Sequence, residues 1–276
     1  MNRIDLCFNR LRGEGRKAFI AYMIVGDPDF ESSLQTAEVL AASGVDMLEL
    51  GLPFSDPLAD GPVIQAASQR ALSGGFTMHR FWEFAEALRQ RVDIPLCIMT
   101  YYNVILSSGL DRFVQSAAKA GIDALLVPDL PVEESGELDT LLIEHQLYGI
   151  RFVTPATPPE RIQSIAGTAG GFLYCVSLTG VTGERQQLSD QLQDMLSRIR
   201  QFTDLPLCVG FGVSNAEQAK RVSAIADGFI IGSAIVRLNH ELHQSRPADY
   251  EPLKQFVAGI RLAVDQKELD VEGMGK

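Results

Sequence analysis

Eight short apolar, β-branched runs recur along the chain with longer amphipathic stretches between them, and this alternation constrains the fold more than any other feature. The runs cover 18–24, 46–50, 95–99, 124–127, 150–153, 171–175, 206–209 and 228–231, and each predicts a strand. Helical patterns fall at 30–42, 81–91, 110–120, 133–145, 189–202 and 215–223. Strand–helix alternation of this regularity implies parallel strands joined by right-handed crossovers. Ser43-Gly44-Val45-Asp46 and Ala120-Gly121-Ile122-Asp123 echo one another: each closes a helix with Gly and opens a strand with Asp. With no linker, low-complexity tract or composition break across 1–276, the expectation is α/β: one (β/α)8 TIM barrel domain. A doubly wound sheet is the alternative, but Gly26-Asp27-Pro28-Asp29 after the first strand lacks the GxGxxG turn. Ile4, Phe8 and Leu11 stand at helical spacing ahead of the first strand, which adds an N-terminal helix to the barrel.

Charge and cysteine usage narrow the partners. Against 24 basic side chains stand 35 acidic ones, a net charge of −11. That balance opposes general binding to nucleic acid or to anionic membranes. No apolar run approaches the ~18 residues that a membrane span needs. Cys7, Cys97, Cys175 and Cys208 are spread singly through apolar surroundings, as buried thiols of a reducing, cytoplasmic compartment would be.

In a barrel the chemistry sits at the C-terminal ends of the strands. After the second strand the chain reads Leu48-Glu49-Leu50-Gly51-Leu52-Pro53-Phe54-Ser55-Asp56-Pro57-Leu58-Ala59-Asp60-Gly61-Pro62. Glu49 lies on the opposite pleat from two leucines, where a lone carboxylate is costly unless paired or functional. Its plain alternative is a structural ion pair. Asp60 has a rival role as the cap of a helix beginning near Pro62. Two carboxylates at one barrel mouth suit acid–base work. Val209-Gly210-Phe211-Gly212-Val213-Ser214 and Ile231-Gly232-Ser233-Ala234 follow the last two strands, the usual phosphate site of this fold. Neither segment contains Lys or Arg, so amides and hydroxyls would hold the anion. Ser177-Leu178-Thr179-Gly180-Val181-Thr182-Gly183-Glu184-Arg185 after the sixth strand suits a mobile lid or a long surface loop. No Lys or His falls at a strand end, which opposes Schiff-base and pyridoxal chemistry and leaves no plausible metal ligand set. Metal-free, carboxylate-driven chemistry on a phosphorylated substrate remains.

The segment Leu48–Pro62 closely resembles the signature of the tryptophan synthase alpha chain family. So do Met99-Thr100-Tyr101-Tyr102-Asn103, Val127-Pro128-Asp129-Leu130-Pro131-Val132-Glu133-Glu134, Tyr174-Cys175-Val176-Ser177, Gly180-Val181-Thr182-Gly183, Gly210-Phe211-Gly212-Val213 and Gly232-Ser233-Ala234-Ile235-Val236. The likeness runs in order from about Phe19 to Val236. It implies a lyase that splits indole-3-glycerol phosphate into indole and glyceraldehyde 3-phosphate, with the indole passed to a beta chain in an alpha2-beta2 tetramer. A lyase that works alone and releases free indole is the alternative. No cofactor is implied on this chain, and pyridoxal phosphate is expected only on the beta chain. Carried over by position, Glu49 and Asp60 are catalytic, and Gly183, Phe211, Gly212, Gly232 and Ser233 bind phosphate. Tyr22, Met99, Leu126, Tyr174, Thr182 and Ile230 line the indole pocket. Pro53, Asp56, Asn103, Asp129 and Pro131 face the beta chain.

Overall fold

In a computed structural model the chain closes into an eight-stranded parallel barrel in the order β1 to β8. The structure describes residues 1–176, 185–210, 212–245 and 248–266, with the backbone alone over 185–189. The strands are β1 Ala18–Ile24, β2 Met47–Gly51, β3 Leu96–Met99, β4 Ala124–Leu126, β5 Tyr148–Val153, β6 Leu173–Val176, β7 Leu207–Gly210 and β8 Gly228–Ile231. All eight coincide with the apolar runs of the sequence, and the shifts have local causes. Gly171, expected at the head of β6, has φ 73° and turns the chain instead.

Side chains alternate between two apolar layers, as strands buried on both faces require. Phe19, Met23, Leu48, Leu50, Ile98 and Leu125 point outward against the helices. Ile20, Tyr22, Met47, Cys97, Leu126, Ile150, Tyr174, Cys208 and Ile230 fill the barrel. The expected N-terminal helix is Arg3–Glu14, opened by an Asn2/Asp5 capping box and closed by Gly15 at φ 67°. It buries Ile4, Cys7, Phe8 and Leu11 into the interior cluster and so plugs the base of the barrel. Burial of this kind is worth roughly 1.5–3 kcal/mol for each large side chain.

The Gly-x-Asp echo has a physical basis. Asp46 accepts the N–H of Phe19 at 3.0 Å, and Asp123 accepts that of Leu96 at 2.9 Å. Asp227 repeats the device on Leu207 at 2.9 Å. Each aspartate thus ties the start of its own strand to the start of the preceding one. Each also meets arginines: Asp46 with Arg10 and Arg261, Asp123 with Arg3 and Arg89, Asp227 with Arg200.

At the other end three strands are followed by two helices rather than one. Pro62–Ser73 precedes Met78–Arg89 after β2, Tyr102–Ser108 precedes Leu110–Lys119 after β3, and Ser233–Leu242 precedes Glu251–Asp265 after β8. Apart from the helix start near Pro62, the sequence pattern marked at most one helix per connection. The stretch 133–145 also divides, into a 3-10 turn Val132–Glu134 and a helix Gly136–Glu144. All four cysteines are buried and unbridged.

Candidate active site

Glu49 occupies the centre of β2 with its side chain inside the barrel, while Leu48 and Leu50 face the helices. Strand register sets it beside Tyr22 on β1 and Cys97 on β3. It is 1% exposed, and neither carboxylate oxygen has a hydrogen-bond partner. Removing an ionised carboxylate from water without a partner is expensive, so such a group holds its proton instead. Burial, with a smaller contribution from the charge of Asp60, pushes Glu49 up to about 8. At neutral pH it is a carboxylic acid, and it forms no ion pair among the described residues.

Asp60 lies on the loop between β2 and helix Pro62–Ser73. That helix takes Gly61 as its N-cap and has no side-chain cap hydrogen bond, so Asp60 does not fill the capping role. Partial burial raises the affinity of Asp60 for a proton, and a hydrogen bond from the Tyr101 hydroxyl opposes that rise. The same hydroxyl accepts the N–H of Ala59 at 3.0 Å, and the Tyr101 ring stacks on Phe54 at 5.1 Å. Tyr101 thereby anchors the loop that carries Asp60. Its position in the Met99–Asn103 motif was the only sequence signal, and periodicity assigned it no role.

Two tyrosines roof the interior, each over a glycine of the next strand. A Cβ on Gly51 would overlap the Tyr22 hydroxyl, and one on Gly210 would overlap the Tyr174 ring. Burial is the main cause that raises both phenols well above their ordinary range, and Glu49 and Asp60 add to it. Leu126 and Ile230 are buried in the same cluster, and Met99 packs half-buried against it. Phe152 joins them unannounced by sequence, its ring 4.8 Å from that of Tyr174. It sits at an inward position of β5, so the period-2 pattern past Ile150 carried the signal.

The last two strands end in the expected backbone features. Gly212 adopts φ 82°, a conformation that favours glycine. Gly232 is the N-cap of helix Ser233–Leu242, again without a side-chain cap. The first N–H groups of that helix are therefore left for an external acceptor, with the helix dipole behind them. Gly183, Phe211 and Thr182, together with the rest of 177–184, lie outside the described residues. On the rim, Asp56, Asn103, Asp129 and Pro131 are exposed, whereas Pro53 is buried. Asp129 also accepts the N–H of Tyr102 at 2.9 Å and joins the loops after β3 and β4. Leu58 and Leu106 extend the same rim at 93% and 52% exposure. Among the described residues no group of three or more His, Cys, Asp and Glu could hold a metal ion.

The family model described as "Tryptophan synthase alpha chain" matches residues 8–264. The chain is 49% identical over 237 residues to the tryptophan synthase alpha chain of Chloroflexus aggregans, a span of 86% of this chain and 89% of that one. It is 46% identical to that of Carboxydothermus hydrogenoformans over 246 residues, covering 89% and 92% of the two. A solved tryptophan synthase alpha chain from Legionella pneumophila superposes with a TM-score of 0.88 at 33% identity, covering 99% of this chain and all of that one. With the barrel, its paired carboxylates and its anion-ready helix end in place, these likenesses show that the chain belongs to the tryptophan synthase alpha chain family.

Proposed function

We propose that Glu49 is the acid–base group and Asp60 the electrostatic partner of the cleavage that this family performs. The alpha chain of tryptophan synthase is a carbon–carbon lyase that splits indole-3-glycerol phosphate into indole and glyceraldehyde 3-phosphate. A retro-aldol cleavage needs an electron sink, and protonating indole C3 creates one. The observation that carries the reading is the buried, unpartnered Glu49 carboxyl, which is protonated at neutral pH and so has a proton to deliver. Positive charge then develops on the indole nitrogen, where the Asp60 carboxylate stabilises it. A carboxylate takes the glycerol hydroxyl proton, and Glu49 is such a group once its own proton has gone. The C–C bond breaks, its electron pair returns to the ring, and the aldehyde forms.

Gly212, Gly232 and Ser233 hold the phosphate through backbone N–H groups and a hydroxyl at a helix N-terminus, joined by Gly183 and Phe211. Tyr22, Met99, Leu126, Tyr174 and Ile230 hold the indole, with Thr182 and Phe152 beside them. The exposed rim of Asp56, Asn103, Asp129 and Pro131, with Leu58 and Leu106, takes the beta chain in an alpha2-beta2 assembly. Pyridoxal phosphate belongs to that partner, and the cytoplasm is the compartment. No described helix is long and apolar enough to cross a membrane.

Indole release from purified Glu49→Gln tests the reading. Affinity for a glycerol-phosphate analogue should persist while cleavage falls, by ~10²–10⁴-fold for an acid–base residue. Near-normal turnover overturns it. Titrating purified beta chain against the parent and Asp56→Ala tests the rim. Activation should weaken in the variant, and equal activation curves would remove Asp56 from the contact.

A further inference from the structure

Between the two inserted helices of the mouth lies a buried polar network that no step of the cleavage uses. Asp27, in the turn past β1, is 1% exposed and accepts Nε and Nη2 of Arg70, on helix Pro62–Ser73, at 2.8 and 2.7 Å. Its backbone carbonyl accepts the Nδ2 amide of Asn239, on helix Ser233–Leu242, at 3.1 Å. Asn239 Oδ1 in turn accepts the Thr36 hydroxyl, from helix Phe30–Ala42, at 2.7 Å. Ser33 donates to the same Asp27 carbonyl at 3.3 Å and accepts the Gly26 N–H at 2.9 Å. Four segments thus meet on one aspartate.

The two helices also share apolar contacts through Ile64, Ala67, Ala71 and Val236. Such contacts are non-directional and tolerate sliding. A bidentate arginine–carboxylate pair and a satisfied amide fix distance and angle together. Position in the chain gives this its meaning. Asp60 stands two residues ahead of helix Pro62–Ser73, and Ser233 is the first residue of the other helix. The network therefore joins the C-terminal halves of the two helices whose N-termini carry the catalytic loop and the anion-binding end.

We infer that Asp27, Asn239 and Thr36 are positioning residues that set the phosphate-binding helix end against the carboxylate pair before substrate arrives. The inference rests on the phosphate assignment above and adds residues that touch neither substrate nor phosphate. Thr36→Val removes a single hydroxyl at nearly constant shape, and Thr36→Ser restores it. Asn239→Leu removes the amide. On the purified full-length chain, inorganic phosphate affinity is measured by calorimetry, alongside KM and kcat for indole-3-glycerol phosphate and thermal melting. Ser233→Asp, which places a carboxylate in the anion site, serves as the reference.

The expected result is that Thr36→Val weakens phosphate binding and raises KM by about 5-fold, the order of one lost hydrogen bond. The kcat should stay within about twofold, since Glu49 and Asp60 remain in place, and Thr36→Ser should recover the parent values. Asn239→Leu should lose about 25-fold in phosphate affinity, having lost two bonds. A lower melting temperature with phosphate affinity and KM unchanged in both variants, while Ser233→Asp abolishes phosphate binding, overturns the inference and leaves the phosphate site standing. Full phosphate affinity in Ser233→Asp overturns the site itself and the inference with it.

Discussion

The two ends of the barrel bury the same functional group in opposite ways. At the base, Asp46 and Asp123 are almost inaccessible, yet each accepts a backbone N–H and faces two arginines. At the mouth, Glu49 is as deeply buried and has no hydrogen-bond partner among the described residues. Satisfied carboxylates at the base hold the strand starts and the N-terminal helix in register. The unsatisfied one at the mouth keeps a proton and costs stability. Burial is therefore no guide to the role of a carboxylate until its partners are counted.

Substitutions at the two ends should separate along that line. Glu49→Gln has the largest expected effect, a loss of ~10²–10⁴-fold in cleavage. It should also leave the protein more stable at high pH. The fold raises Glu49 from 4.5 to about 8, so between those values the folded state binds more protons than the unfolded one. Stability then falls as pH rises through that window and is lowest above it. Glu49→Gln lacks this dependence, so its advantage in denaturant melts should be absent below pH 4.5. Above pH 8 the advantage should reach the order of a few kcal/mol. A constant difference across pH breaks the contrast.

Asp46→Ala should do the reverse. Removing one partner from a buried ion pair costs up to about 3–5 kcal/mol; here Arg261 keeps only Asp265 as a charge partner, and the Phe19 N–H loses its acceptor. Turnover per folded molecule should be unchanged, as measured by activity against active-site titration. Asp60→Asn comes next. It should slow cleavage and, by removing a neighbouring negative charge, move the Glu49 titration downward. Stability should change by less than the ~1 kcal/mol of a lost cap, since Gly61 holds that position. Tyr101→Phe has the smallest expected effect: a few-fold slower cleavage with its stacking on Phe54 retained, read from steady-state kinetics.

The strands were legible because parallel strands buried on both faces must be short, apolar runs, and Glu49 stood out against that background. The base was partly legible too, through the repeated Gly-x-Asp turn. Of the inserted helices only the start of Pro62–Ser73 was marked, by Asp60-Gly61-Pro62. The buried faces of Pro62–Ser73 and Ser233–Leu242 keep helical spacing but include Ala67, Ser68, Ala71 and Asn239, small or polar residues that weaken the apolar stripe. Whether Asp60 caps or catalyses was open as well, because the answer lies in the backbone angles of Gly61 and the reach of Tyr101. Phe152 and the Asp27 network depend on residues brought together only by closure of the barrel.

The protonation state of Glu49 tests the central claim most directly. Carbon-13 NMR of glutamate carboxyls in the ligand-free chain, with Glu49→Gln to identify the resonance, reads it without reference to turnover. A carboxyl that stays protonated at pH 6.5 and titrates near pH 8 is the result predicted here. An ionised Glu49 at pH 6.5, titrating near 4.5, would contradict it.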